Sequence, residues 1–177
     1  MLAPVKLSAQ EEYGIRCLLQ LARHDESVTV GEVGAKEGLG EPYVAKLLRV
    51  LRQGGLVESI RGKHGGYRLA RPAEEIRMSE VIAALGSELY CANDFCERFA
   101  GDRSVCVHSS ECSLRSLWEG IHGVVHLLLE RCTLAQLASS EHDMRSWVAA
   151  QLAQISAELS APKSPKPRGC SLPTHHS

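Results

Sequence analysis

Between Thr29 and Ala70 the chain is punctuated so closely that few folds can accommodate it. Thr29 with Glu32 three residues on is a capping box, in which each side chain satisfies an orphan amide at the start of a helix. The run it opens, VGEVGAKEG, should stop at Gly38 and Gly40, because glycine tolerates the left-handed conformation of a C-cap. Pro42 suits the first position of a third helix. On that helix Val44, Leu47, Leu48 and Leu51 recur at i, i+3, i+4 and i+7, and Gly54 and Gly55 end it. Two short β-prone runs, LVESI and YRLA, then flank RGKHGG, which predicts a hairpin with a glycine-rich tip. Two short helices meeting at a tight turn, followed by a hairpin, describe a winged helix-turn-helix.

The flanking segments extend this plan. Ser8 with Glu11 is a second capping box, opening a first helix on which Tyr13, Cys17, Leu18, Leu21 and Ala22 share helical spacing. Ser79 is placed to cap a further helix through Leu85. From Leu114 a long stripe of Leu117, Trp118, Ile121, Val124, Val125 and Leu128 runs to about Arg131, more apolar surface than so small a domain easily buries. Thr133 with Gln136 starts another helix, and a last amphipathic one is expected from about Glu141 to Leu159. The tail from Ser160 holds four of the seven prolines, three basic residues and no acid, so it is expected to be a disordered end. The expected fold is mainly α with a small β-hairpin wing. It divides into a winged helix-turn-helix at 5–85, a cysteine-rich loop at 86–113, a dimerisation helix and C-terminal helix at 114–159, and the tail at 160–177.

Overall charge is silent about partners: 20 Lys and Arg stand against 21 Asp and Glu, a net charge of −1. A nucleic-acid surface therefore requires local segregation. Between Tyr43 and Arg71 it is present, as Lys46, Arg49, Arg52, Arg61, Lys63, Arg68 and Arg71 face Glu58 alone. Lys46, Arg49 and Gln53 lie opposite the leucine stripe, with Tyr43 at its N-terminal edge, where a recognition helix addresses the major groove of double-stranded DNA. Arg61, Lys63 and His64 fall on the wing tip, where arginine enters a narrow minor groove and lysine neutralises phosphate. A solvated helix face and a turn are often basic without any partner, and Tyr43 could belong to the core. Their coincidence on adjacent elements favours DNA. No stretch approaches 18 uninterrupted apolar residues and the N-terminus lacks a signal-peptide pattern, so a cytoplasmic chain without membrane contact is expected. A thiol redox enzyme is disfavoured by the lack of C-x-x-C at a helix start.

Seven cysteines without an export signal argue for reduced thiols rather than a disulfide framework. Four of them form Cys91-x4-Cys96-x9-Cys106-x5-Cys112. Zinc knuckles bring ligands in close pairs such as C-x2-C, and none occurs here. Longer gaps suit an iron-sulfur cluster, whose larger core accepts thiolates from separate turns. Zinc and unmetallated reactive thiols remain the alternatives, and His108 could add a nitrogen ligand. Cys17 falls on the first helix's core stripe, Cys132 is expected to be structural, and Cys170 lies in the tail.

The segments LSAQEEYGIRCLLQLA, GLVESIRGKHGGYRLARP and SEVIAAL, with the cysteine loop running into LRSLW, resemble the regulators typified by IscR and NsrR. These are dimeric winged-helix transcription factors, and the likeness covers residues 5 to about 138. It implies a homodimer paired through the Leu114 to Arg131 stripe, a palindromic operator, and a repressor sensing iron-sulfur, redox or nitric oxide status. It also implies a [2Fe-2S] or [4Fe-4S] cluster on three cysteines and one other ligand. Cys106 and Cys112 match the last two family cysteines through the x5 gap and the LW that follows. Cys96 is chosen as the first, with Cys91 the alternative. Arg115 stands where a histidine is usual, and Glu12 before Tyr13 matches a carboxylate that some relatives supply from the opposite subunit. The x9 gap departs from the compact family spacing. Rival readings are a cluster-free member governed by thiol oxidation or a protein partner, and a structural zinc-binding module.

Overall fold

The computed structural model of the chain describes residues 7–62, 65–86 and 111–160. Its elements are α1 (Ala9–Ala22), α2 (Val30–Glu37), α3 (Glu41–Gln53), β1 (Val57–Ile60), β2 (Gly66–Leu69), a 3-10 turn (Ala73–Glu75), α4 (Met78–Ala84), α5 (Ser113–Arg131), α6 (Leu134–Leu137) and α7 (Glu141–Ser160). The capping boxes at Ser8, Thr29 and Thr133 all form. In the first, Ser8 Oγ accepts from the Glu11 N–H at 3.2 Å while Glu11 Oε2 accepts from the Ser8 N–H at 2.6 Å. In the second, hydrogen bonds from the Thr29 backbone and then its hydroxyl hold the Glu32 carboxyl below its ordinary range. Gly38 ends α2 at φ 68°, as its spacing requires. Gly40 instead becomes the N-cap of α3, and Pro42 is the second residue of that helix.

Ser79 is not the cap expected of it. α4 starts at Met78, the preceding Arg77 is extended, and its N–H donates to Glu80 Oε1 at 3.3 Å. The reason is tertiary: Arg77 forms a β-bridge with Thr133, the Met78 N–H bonds Cys132 O at 2.9 Å, and the Leu134 N–H bonds Ile76 O at 2.9 Å. Pairing with a distant strand-like segment thus places the last extended residue at Arg77. Ser79 is left inside the first turn, its Oγ buried without a hydrogen-bond partner among the described residues.

α1, α3 and α4 enclose the core. Val44, Leu47, Leu48 and Leu51 of α3 are each 0% exposed and pack with Cys17, Leu18 and Leu21 of α1, and with Val81 and Leu85 at the far side. Full burial of such side chains contributes roughly 1.5–3 kcal/mol apiece. α2 is tied to α1 by Glu37, whose largely buried carboxylate accepts from Arg16 Nε at 2.6 Å and also from Gln20 Nε2. Burial, with the nearby Glu37 charge second, pushes the Cys17 thiol from 9.0 up to about 11, against a smaller opposing effect of Arg16. Burial also raises the Cys132 thiol. Both cysteines are therefore expected to resist iodoacetamide in the folded protein and to react once it is unfolded; native-state labelling of Cys17 as fast as that of Cys112, read by peptide mass mapping, would contradict this. A folded thiol titrating above its unfolded counterpart stabilises the protein fully below the unfolded value, and that contribution is lost as pH rises through the folded one. The denaturation midpoint should accordingly fall above about pH 9.

α5 leaves this core. None of its residues is fully buried, and Leu114, Leu117, Trp118 and Ile121 are 52%, 58%, 48% and 44% exposed. Its C-terminal end is held fast: Arg77 Nη1 donates to Glu130 O at 2.8 Å, Leu129 packs against the core, and Arg131 forms a two-pronged pair with Glu158 of α7 at 2.7 and 2.9 Å. Among the described residues no helix is long and apolar enough to cross a membrane.

Candidate nucleic-acid interface

The face of α3 opposite its leucine stripe carries Lys46, Arg49 and Gln53, all exposed. Arg52 joins them. It counts toward the charge of the segment in the sequence without being singled out there, and its position three residues beyond Arg49 is the signal that places it on this side. None of these cations has an ion-pair partner among the described residues. Tyr43 divides its surface: it is half-buried against the core and stands edge-on to Tyr13 of α1, with centroids 6.0 Å apart and ring planes at 82°. Tyr13 in turn lies under the Arg16 guanidinium, 5.4 Å from its centroid.

The hairpin forms in the register Val57↔Leu69, Glu58↔Arg68, Ser59↔Tyr67 and Ile60↔Gly66. Tyr67 also exchanges two 2.8 Å backbone hydrogen bonds with Val28, so the wing is anchored to the segment immediately before α2. That anchor sets the wing at a fixed position beside the helix-turn-helix. Arg61 is exposed at the turn next to Gly62, whose φ of 110° favours glycine. Lys63 and His64 lie outside the described residues.

Two of the seven basic residues counted in the sequence are neutralised. Arg68 Nε meets Glu58 Oε1 at 2.6 Å directly across the strands, and Arg71 pairs with Glu80 of α4. Such exposed pairs add little stability. Their effect is to cancel charge at the base of the wing, leaving Lys46, Arg49, Arg52 and Arg61 as cations without an ion pair among the described residues.

Of the candidate cluster ligands, Cys112 is half-buried and forms the N-cap of α5, where its Sγ accepts from the Arg115 N–H at 3.4 Å. Glu12 is exposed on the first turn of α1. Cys91, Cys96, Cys106 and His108 lie outside the described residues. Among those described, no three His, Cys, Asp or Glu side chains converge on a common metal position. Cys17 is buried, as its place on the first helix's stripe predicts, and Cys132 is buried too.

A helix-turn-helix with a cationic third helix, a hairpin wing fixed at its side and a long exposed helix beyond it defines a winged-helix DNA-binding protein. The chain belongs to the Rrf2 family, described as iron-dependent transcriptional regulators, whose profile matches residues 7–140. It is a transcriptional regulator and not an enzyme. Protein rrf2 of Nitratidesulfovibrio vulgaris is 33% identical over 135 residues, covering 75% of this chain and 87% of that relative. The HTH-type transcriptional regulator IscR of Cereibacter sphaeroides is 33% identical over 141 residues, 77% of this chain and 89% of the relative. Among solved structures, CymR (YrzC), the global cysteine regulator of B. subtilis, superposes with a TM-score of 0.62 at 28% identity, covering 76% of this chain and 97% of CymR. T. potens IscR does so with a TM-score of 0.57 at 25% identity, covering 90% and 94%.

Proposed function

We propose that this chain is a homodimeric, cytoplasmic repressor that reads a palindromic operator and senses iron-sulfur, redox or nitric oxide status through a cysteine-ligated cluster. The observation that carries the DNA-reading part is the set of cations on α3 and the wing that have no ion-pair partner among the described residues. In this reading residues 5–85 are the reading unit, 86–113 the sensing segment and 114–159 the pairing and C-terminal helices. Lys46, Arg49 and Arg52 take phosphates, each contact steepening the fall of log affinity with log salt by about 0.9, while Arg61 enters the minor groove. Gln53 and the exposed edge of Tyr43 meet base edges, with Lys63 and His64 completing the wing tip. Arg61→Ala is expected to weaken binding to an AT-rich operator by about tenfold, or 1.4 kcal/mol. Unchanged affinity in a fluorescence-anisotropy titration would count against groove insertion.

The donors proposed for the cluster are Cys96, Cys106 and Cys112, with Cys91 as alternative for the first and Glu12 of the opposite subunit as the fourth. Soft thiolates with one carboxylate suit a [2Fe-2S] core, and a [4Fe-4S] core remains compatible with the same set. When bound, such a cluster supplies an oxidisable, nitric-oxide-reactive centre. Cys112 has two duties, capping α5 and offering its sulfur, so a change in its ligation reaches the first turn of the pairing helix directly. The other end of that helix is clasped to the reading unit at Arg77 and Thr133. A tenfold change in DNA affinity requires only about 1.4 kcal/mol of coupling between the two sites.

A second reading, a cluster-free regulator responding by thiol oxidation, is favoured by the likeness to Staphylococcus aureus CymR solved in an oxidized form, with a TM-score of 0.59 at 27% identity. One experiment separates them. Anaerobically purified protein is expected to show charge-transfer absorption and about two irons per protomer for a [2Fe-2S] core, with Mössbauer spectroscopy giving the nuclearity. Absence of both bands and iron after reconstitution overturns the cluster reading; stoichiometric zinc in its place would support a structural module.

A further inference from the structure

We infer that the C-terminal end of α4 is the mechanical link between the cysteine segment and the recognition helix, held in a notch built by Gly54 and Gly14. The inference rests on the sensing reading proposed above and names the part of the fold that would transmit the signal.

α4 ends at Ala84, Leu85 is 2% exposed, and Gly86 turns the chain at φ 82°. In sequence the next stretch carries Cys91, Cys96 and Cys106 and reaches Cys112. Leu85 and Gly86 are the described residues to which that stretch is joined at its N-terminal side. Three contacts hold this point. Gly54, the residue that ends α3, leaves no space beside Ala84: a Cβ there would stand 2.6 Å from Ala84 Cβ and 3.7 Å from Ala84 Cα. Gly14 of α1 does the same for Leu85, where a Cβ would stand 2.8 Å from Leu85 Cδ1. Gln10 Nε2 then donates to Leu85 O at 2.8 Å, satisfying a carbonyl that the end of a helix leaves without a partner.

The consequence follows from close packing. Carbon atoms rest at about 3.5–4.0 Å, so the Gly54–Ala84 contact has no slack for a closer approach, whereas the Leu85 methyls beside Gly14 are the end of a flexible side chain and can turn. If Leu85 and Gly86 shift, either α4 moves as a body against the end of α3 or the Gln10 hydrogen bond breaks. Gln53 directly precedes Gly54, Arg52 stands one residue before Gln53, and Arg49 lies one turn further up the same helix. A push at Gly54 is therefore applied at the foot of the reading face. α1 contributes from the other side, because Glu12 lies in sequence between Gln10 and Gly14, the two residues that grip Leu85. Both proposed inputs, the cysteine segment and Glu12, thus converge on one packed junction. Gln10, Gly14 and Gly54 are positioning residues, since none is placed against DNA or cluster.

The test measures the affinity ratio between cluster-loaded and cluster-free forms of the full chain, on a duplex selected by the protein from a random-sequence library. Wild type is expected to show a ratio of about tenfold or more, in either direction. Gly54→Ala forces α3 and α4 apart and should bring the ratio to within about twofold of unity while iron content is retained. Adding Ala84→Gly returns the space and should restore the ratio, a non-additivity that a merely destabilised helix would not give. Gln10→Ala introduces no clash and should lower the ratio by about threefold, which keeps the idea testable should Gly54→Ala fail to fold. A wild-type ratio preserved in both Gly54→Ala and Gln10→Ala overturns the junction and leaves the sensing reading standing. Equal affinity of the two wild-type forms overturns the sensing reading itself, and the junction with it.

Discussion

Replacing Ile121 by glutamate is expected to convert the protein to monomers and to reduce binding to a two-half-site operator by more than about a hundredfold. The physical basis is the apolar face of α5 that stays exposed among the described residues. Leu114, Leu117, Trp118 and Ile121 follow i, i+3, i+4 and i+7, and each is 44% to 58% exposed. Burying the exposed half of such side chains is worth about 1 kcal/mol apiece, and a symmetric pairing counts each one twice. The substitution removes part of that gain and sets a carboxylate from each copy in an apolar contact, at a cost of several kcal/mol. About 4 kcal/mol is a thousandfold in dissociation constant, enough to lose a micromolar dimer. Ile121 lies outside the fully buried core, so far-ultraviolet circular dichroism should change little, while the thermal midpoint should fall with the lost association energy. Sedimentation equilibrium checks the result, and an Ile121→Glu protein that stays dimeric would remove α5 from the interface.

Cys112→Ala should abolish iron loading and, with it, any difference in DNA affinity between reconstituted and untreated protein. Loss of one of the three proposed thiolate donors would leave two cysteines and a carboxylate, too few soft ligands to hold a cluster. The same change removes the group that accepts the Arg115 N–H at the start of α5, so it would also loosen that helix by about 1 kcal/mol. Cys112→Ser distinguishes the two duties. Serine retains an acceptor for the helix start but is a poor partner for iron, so it should lose iron as fully as the alanine variant while leaving the unfolding midpoint close to wild type. Iron and sulfide assays with chemical denaturation supply both readouts. Full iron content in Cys112→Ser would place the iron on other residues.

How much of this was readable beforehand depends on the range of the interaction involved. The caps at Ser8, Thr29 and Thr133, the glycine stop at Gly38 and the stripe from Val44 to Leu51 all arise from hydrogen bonds or side-chain neighbours within one or two turns. Ser79 failed as a cap because Arg77 is extended by pairing with Thr133, a partner 56 positions away that no local pattern announces. Arg71 likewise looked available until its pairing with Glu80 came from outside the segment whose charge had been counted. Arg68 and Glu58 could have been paired from the hairpin register, but only once that register was known.

By itself, then, the amino-acid order dictated which segments coil, where all but the fourth helix start, and that cationic residues gather on the third helix and the wing, since short-range bonding and helical period decide those matters. Tertiary structure alone decided which of those cations stay unanswered, that Tyr43 shares itself with Tyr13, and that Gly54 presses on Ala84. Those facts depend on residues distant along the chain meeting in space, and such meetings come from packing the whole core at once rather than from any local run of side chains.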